Sequence, residues 1–408
     1  MKLLQTIVAL LGGSATCAGT LASPHQCAQA PQHILSDQTP LCINGEPQGS
    51  TAVTEHFTHP VWSHRPFCIT KKGREYCTHT TSNFRTNHGL SIVSTPTAAE
   101  AISSAFPFTQ SARHVSDSHL VVQPIPGKGF GLTTTQLIPK GSTILLDAPR
   151  IIASAEFPAH VLQAQGVSLF THALERLPAE DRELVMSLDK SLGGSDIEDI
   201  MKTNAFACQL HDGGEDDAYM CLFPSVARIN HACRPNSHAR FIPKTLLMEV
   251  KALRDIVAGE EISISYGRID LKHAERQKLY KEGWNFSCTC EMCTAKEGVK
   301  KGSDQSRARF ARLRKKFESL TAETYDAQRI VAWEKEVMEL SKLEGLDVLL
   351  APDYERLAYV YAGHGMMRDA RLWAQKARDS LTEWAIVDGG PRMELDRVEE
   401  LLKGLSEA

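Results

Sequence analysis

Three cysteines fall within six residues, Cys288-Thr289-Cys290-Glu291-Met292-Cys293. Thiols this close along a chain cannot easily pair with one another, but all of them can face one metal ion. Zinc takes four ligands in a tetrahedron. The candidate fourth is Cys233, in the run Arg228-Ile229-Asn230-His231-Ala232-Cys233-Arg234-Pro235-Asn236-Ser237. A zinc ion shared by Cys233, Cys288, Cys290 and Cys293 would pin together two segments far apart in the chain. The rival reading is unrelated thiols, or disulfides to partners elsewhere, which an oxidising compartment would favour.

The other cysteines tell a separate story. Cys27, Cys42, Cys68 and Cys77 form an even-numbered set in the N-terminal region. Four such cysteines suggest two disulfides with three possible connectivities, the alternatives being a zinc site or free thiols. They follow a segment laid out like a secretory signal peptide: Lys2, the apolar run Leu3 to Leu11, then mostly small residues, with Thr20-Leu21-Ala22 marking a cut before Ser23. The alternative is an ordinary apolar N-terminal helix or tail. Secretory entry is therefore one expectation and a nuclear or cytoplasmic location the other. Cys208 and Cys221 read as small core residues.

A chain of 408 residues is long enough for two to three domains and a large core. Net charge is −4 and the sequence pI is about 6.5, so no direct nucleic-acid binding is expected. No apolar run is long enough to span a membrane. Oligomeric state cannot be read from the sequence.

The stretch from Ser23 to about Thr95 is rich in His, Pro, Thr and Ser, and reads as loop-rich and cysteine-stapled. From His119 the pattern becomes structured. Strands are expected at His119 to Val122, Leu132 to Leu137, Thr143 to Leu146, Arg240 to Ile242, Leu246 to Ala252 and Ile262 to Tyr266. Helices are expected over Ala159 to Leu188, with Pro178 starting a new one, within Gly193 to Phe206, and over Leu271 to Lys281. Lys296 to Ser306 reads as a charged linker. From Arg307 onward most of the chain reads as helix. Leu357, Ala358, Val360, Tyr361, Ala370, Trp373, Ala374 and Ala377 sit at helical spacing, resembling one tetratricopeptide-like pair or a plain helical cap.

Two more motifs accompany the cysteines. Gly127-Lys128-Gly129-Phe130-Gly131 is a glycine turn that lets backbone approach a ligand closely. A strand follows it rather than a helix, so it is not a dinucleotide-binding fingerprint. Gly259-Glu260-Glu261-Ile262-Ser263-Ile264-Ser265-Tyr266-Gly267 is a turn and a strand that delivers a tyrosine. Taken singly, these are a hairpin, a structural histidine at His231 and a packing tyrosine.

Taken together, from about His119 to Thr294, they resemble the SET-domain protein-lysine methyltransferases, in particular the SMYD-like branch and its fungal relatives. The SMYD pattern carries a cysteine-rich MYND insert, whereas Arg150 to Ile200 holds no cysteine. Many relatives have a second tyrosine where Trp284 stands here. The resemblance implies that the cofactor is S-adenosylmethionine, bound by the backbone around Gly127, Lys128 and Gly129, by Asn204, Asn230 and His231, and by Phe286 packing on the adenine. It implies Tyr266 as the catalytic tyrosine, also touching the cofactor, and zinc on the four cysteines. The helical stretch from Glu156 to Phe206 would be the insert that shapes a substrate groove. The partner would be a protein offering a lysine side chain, histone or non-histone.

The implied fold is α+β: small sheets around a knotted cofactor site, a helical insert and a post-SET zinc cluster, then an all-α C-terminal domain. The expected division is a signal peptide at 1–22, a cysteine-containing N-terminal region at 23–117, the SET domain at 118–267, the post-SET segment at 268–296 and the helical domain at 306–408. The competing function is a catalytically silent SET-fold protein that binds cofactor or peptide, a reading that Trp284 favours.

Overall fold

The computed structural model describes residues 57–85, 88–106, 118–210, 218–268, 270–385 and 392–407. The signal-like segment, Cys27 and Cys42 lie outside them. Among the described residues, no helix is long and apolar enough to cross a membrane.

The largest sheet has six strands. In chain order these are β1 (Phe67–Lys71), β2 (Arg74–Phe84), β3 (His88–Ser94), and then the strands Ile151–Ser154, Phe206–Gln209 and Ala218–Leu222. The first three run through the stretch expected to be loop. Strand β3 pairs in parallel with Ile151–Ser154, so the sheet crosses the boundary expected at residue 118. The inner strands β3 and Ile151–Ser154 are buried on both faces. Ile92, Ile152 and Cys221 point into one core, and Val93, Ile151 and Leu222 into the other. Alternate side chains leave opposite faces of a strand, so the sheet divides the two cores.

Two of the polar residues that suggested loop are satisfied inside. Thr78 Oγ1 donates to the Leu169 carbonyl at 2.9 Å, and Ser91 Oγ to the Ala173 carbonyl at 2.7 Å. Both acceptors belong to the insert helix Gln163–Glu175. Cys68 and Cys77 face each other across β1 and β2 and are joined by a disulfide. Cys208 and Cys221 are free and buried, as expected of core residues.

The insert is made of the helices Gln163–Glu175, Ala179–Met186 and Asp196–Asn204. One buried carboxylate fastens it to the sheet. Asp181 accepts from the Gly89 N–H at 2.6 Å and from Arg150 Nε at 2.5 Å. Burial opposes its charge, but His88, Arg150 and the Gly89 N–H hold its pKa below the usual carboxylate range. A depressed folded-state pKa gives stability that is present above the unfolded value and lost as pH falls through the folded one. Asp181→Asn is expected to cost about 3 kcal/mol, measured as a lower urea midpoint at pH 7, with the gap to wild type closing in acid.

The remaining strands form small sheets, as expected. Leu120–Ile125 pairs with Gly129–Thr134 as a hairpin. Thr143–Asp147, Ser237–Ile242 and Leu247–Ala252 form a three-stranded sheet. Asn230–His231 pairs with Ser263–Ile264.

The expected linker is instead the first half of a helix, Glu297–Glu318. Its buried stripe is Ser303, Arg307, Phe310, Leu313 and Phe317. Two polar residues open that stripe, so an apolar period does not begin until Phe310. The helices Ala327–Glu344, Ala351–Gly363, Met367–Ser380 and Met393–Glu407 follow. Arg240 Nη1 donates to the Glu383 carbonyl at 2.9 Å, and Lys251 Nζ lies 5.3 Å from the Trp384 ring centroid, which ties the helices to the three-stranded sheet.

Candidate active site and metal centre

Asn230 lies beside Ser263 and His231 beside Ile264 in a two-residue parallel ladder. Asn236 secures it. Its amide donates to the Glu261 carbonyl at 2.8 Å, and its oxygen accepts from the Ser263 N–H at 2.8 Å. Asn236 is 1% exposed, and its role was not foreseen, because a Pro-Asn pair reads simply as a turn.

The glycine hairpin packs on this ladder. Gly127 and Gly129 have φ of +74° and +77°, a region that favours glycine. At Gly131 a Cβ would lie 2.6 Å from Asn230 Nδ2 and 3.2 Å from a Glu261 carboxylate oxygen, so only glycine admits them. Glu261 joins the two motifs. One oxygen takes Lys128 Nζ at 2.6 Å and the other accepts from Asn230 Nδ2 at 3.0 Å. Its place in a Glu-Glu pair at a turn gave no sign of this bridge.

Tyr266 stands at the centre. Its hydroxyl donates to the Ile229 carbonyl at 2.8 Å. Its ring lies 5.3 Å from Trp284 and 6.1 Å, edge-on, from Phe286. Burial, with the Asp189 and Glu261 charges added, pushes the phenol well above its usual range, so it stays protonated. With the proton committed to Ile229, the oxygen lone pairs are left to accept.

His231 joins two parts of the site. Nδ1 accepts from the Tyr266 N–H at 3.1 Å, and Nε2 faces Cys233 Sγ at 3.4 Å. Nδ1 is thus the acceptor and Nε2 carries the hydrogen. The ring links the tyrosine strand to the sulfur cluster. Asn204 is reached through the insert. Its amide donates to the Asp189 carbonyl at 2.8 Å, and the Asp189 carboxylate lies 3.8 Å from where a Cβ on Gly129 would stand.

The four cysteines converge. Their sulfurs all lie within 4.8 Å of one another, and Cys233 Sγ is 3.9 Å from Cys288 and 3.5 Å from Cys293. Zinc–sulfur bonds of about 2.3 Å put tetrahedral sulfurs about 3.8 Å apart, so the donor set fits zinc. None of the four is in a disulfide. Hydrogen bonds from Cys288, Cys290 and Cys293 hold the Cys233 thiol far below its usual range, while the contact with Cys233 pushes Cys288 and Cys293 up. Contact with Cys233 raises the Cys290 thiol too, but Cys288 and Cys293 outweigh it and bring it down to about 6. The four thiols thus do not ionise alike, and a bound divalent cation would let all of them do so. Tyr280 lies under the cluster, fully buried, with its hydroxyl 3.9 Å from Cys233 Sγ and its ring stacked on Phe286 at 5.4 Å.

The SET domain family matches residues 129–267, the stretch that holds this ladder, Glu261 and Tyr266. Residues 129–267 are a SET domain. Its relatives include histone-lysine N-methyltransferase set5 of Schizosaccharomyces pombe, 27% identical over 282 residues that cover 68% of this chain and 83% of that protein. N-lysine methyltransferase SMYD2 of Homo sapiens is 26% identical over 198 residues, 44% of this chain and 45% of that protein. SET domain-containing protein SmydA-8 of Drosophila melanogaster is 29% identical over 149 residues, 36% of this chain and 29% of that protein. The chain therefore spans most of the fission-yeast protein and less than half of the other two. The SET match ends at Gly267, ahead of Trp284, Phe286 and the three clustered cysteines.

Proposed function

We propose that this SET-domain protein is an S-adenosylmethionine-dependent protein-lysine N-methyltransferase with Tyr266 as its catalytic residue. The observation that carries the reading is Tyr266 itself. A protonated hydroxyl is pinned to the Ile229 carbonyl at the point where the glycine hairpin, the Asn230–His231 ladder and the sulfur-tied aromatic cap meet. The relatives named as lysine methyltransferases support the same reading.

S-adenosylmethionine, when bound, supplies a methyl group on a sulfonium. The residues present suit it. The backbone at Gly127 to Gly129, with the Lys128 ammonium, offers donors for an amino-acid carboxylate, and the Asn230 side-chain oxygen offers an acceptor for its ammonium. Asn204 adds a polar contact from the insert, and Phe286 offers an aromatic face for adenine. His231 acts as a positioning residue. The substrate is a protein lysine, histone or otherwise.

The lysine must arrive neutral. A free lysine titrates near pH ~10.4, and an apolar channel lowers that value by penalising the charged form. Trp284 and Phe286 supply such walls. The Tyr266 oxygen can then orient the amine. Holding reactants in line is worth about 7–11 kcal/mol of barrier.

The test is transfer of labelled methyl from S-adenosylmethionine to lysate proteins and basic peptides. Label fixed on lysine by the wild type is expected. Cofactor binding without any transfer would reject the enzyme reading. A second measurement addresses Lys128, where Lys128→Met is expected to weaken cofactor binding about tenfold by calorimetry. Unchanged affinity would remove Lys128 from the site.

A further inference from the structure

Among the described residues, the largest fully buried side chains are two arginines, Arg276 at 1% exposure and Arg307 at 0%. Arg276 lies on the helix His273–Trp284, one turn before Tyr280. Arg307 lies on Glu297–Glu318, in the stretch that the sequence presented as a linker. Both sit beside the sulfur cluster. The Arg276 guanidinium is hydrogen-bonded to Cys233 and also feels the Cys293 sulfur. Arg307 Nη2 meets Met292 Sδ at 3.5 Å, between Cys290 and Cys293 in sequence.

The charges nearby do not balance without the sulfurs. Arg307 Nε pairs with Glu344 at 3.0 Å, while among the described residues Arg276 has only the Leu271 carbonyl as a hydrogen-bonded oxygen. The two cations also repel each other, and burial together with Arg276 pushes the Arg307 pKa down. Arg276 Nε and Arg307 Nη1 are buried with no hydrogen-bond partner. Buried charges are normally paired. Four thiolates around one divalent zinc carry a net double negative charge, which two guanidiniums would offset.

The same helix end holds both sulfur-bearing segments. Glu344 closes the helix Ala327–Glu344. Arg234, next to Cys233, donates to the Leu343 carbonyl, and its stem lies 3.2 Å from where a Cβ on Gly345 would stand. Gly345 has φ of +70°, so a side chain is disfavoured there in any case.

We propose that Arg276 and Arg307 are the counter-ions of the four-cysteine metal centre, and that Arg307 with Glu344 makes the C-terminal helices part of that centre. The proposal rests on the zinc reading of the four cysteines. It makes metal retention depend on residues from a region outside the SET match, and makes docking of the helices depend on the metal.

The test compares zinc loss from the full-length protein to a chromogenic chelator at fixed pH. Arg307→Met is expected to release zinc at least tenfold faster than wild type. Arg307→Lys, which keeps the charge, should recover most of the difference. Glu344→Gln leaves the Arg307 charge free for the sulfurs, and should release zinc more slowly than wild type. Arg307→Met and Glu344→Gln break the same ion pair, so a packing role alone would speed release in both, and that result would overturn the proposal. Hydrogen exchange completes the test. Stripping zinc from the wild type should remove protection from residues 297–318, and unchanged protection there would overturn the docking claim. Wild-type protein without bound zinc would sink the metal reading itself. Zinc at one per chain with equal release from wild type and Arg307→Met would sink the counter-ion proposal alone.

Discussion

Tyr266→Phe is expected to slow methyl transfer about a hundredfold or more while leaving cofactor affinity within about twofold, because misplacing a reactant by about an ångström has that effect. The substitution removes one oxygen and keeps the ring. Packing against His231, Trp284 and Phe286 should survive, and with it the cofactor pocket. What is lost is the acceptor that orients the amine, together with the donor to the Ile229 carbonyl. Leaving that carbonyl unpaired adds about 1–3 kcal/mol of instability where it is shielded from water, so the comparison must be made well below the unfolding temperature. The pH profile gives a second check. Burial and the carboxylates of Asp189 and Glu261 raise the Tyr266 pKa. The wild-type rate should therefore rise with pH as the substrate amine deprotonates, with no fall near the ordinary tyrosine value of about 10. Equal single-turnover rates in the two proteins would remove Tyr266 from catalysis.

Cys290→Ala should have the larger structural effect. It leaves three sulfurs for a tetrahedral ion, and structural zinc contributes about 10–16 kcal/mol to the folding of small sites. The segment carrying Cys288, Cys290 and Cys293 also follows Trp284 and Phe286, which wall the space beside Tyr266. Zinc content should drop from one per chain to a small fraction. Near-ultraviolet dichroism from the aromatic cap should weaken, and cofactor affinity should fall with it, even though Cys290 is not proposed to touch cofactor. Elemental analysis and calorimetry on the same preparation provide the check. Zinc-free wild type, or a variant that keeps both zinc and affinity, would refute the link between metal and pocket.

The two predictions differ in where they act. One removes an atom from the reacting geometry and spares the frame. The other spares every atom of the pocket and removes the frame. Tyr266→Phe should thus lower the turnover number, whereas Cys290→Ala should lower affinity and turnover together.

The sequence was most informative where chemistry needs rare residues at fixed spacing. Cys288, Cys290 and Cys293 with Cys233, and the runs around Asn230 and Tyr266, pointed to segments that meet in space, and the structure brings the four sulfurs together. Patterning likewise indicated the insert helices, the small sheets and the C-terminal helices. It failed where burial and polarity part company. Strands β1 to β3 were hidden because Thr78, Thr80, Ser91 and Ser94 are polar yet fully buried. The start of helix Glu297–Glu318 was hidden because Ser303 and Arg307 fill core positions.

Tertiary structure decided the rest, since a side chain's partners are set by which distant segments fold against it. It made His231 a bridge between Tyr266 and Cys233. It gave Glu261 its grip on both Lys128 and Asn230. It put two arginines under a cluster of sulfurs. Local sequence records which groups can ionise, donate or coordinate, but the low-dielectric surroundings that make those abilities count are assembled from the whole chain.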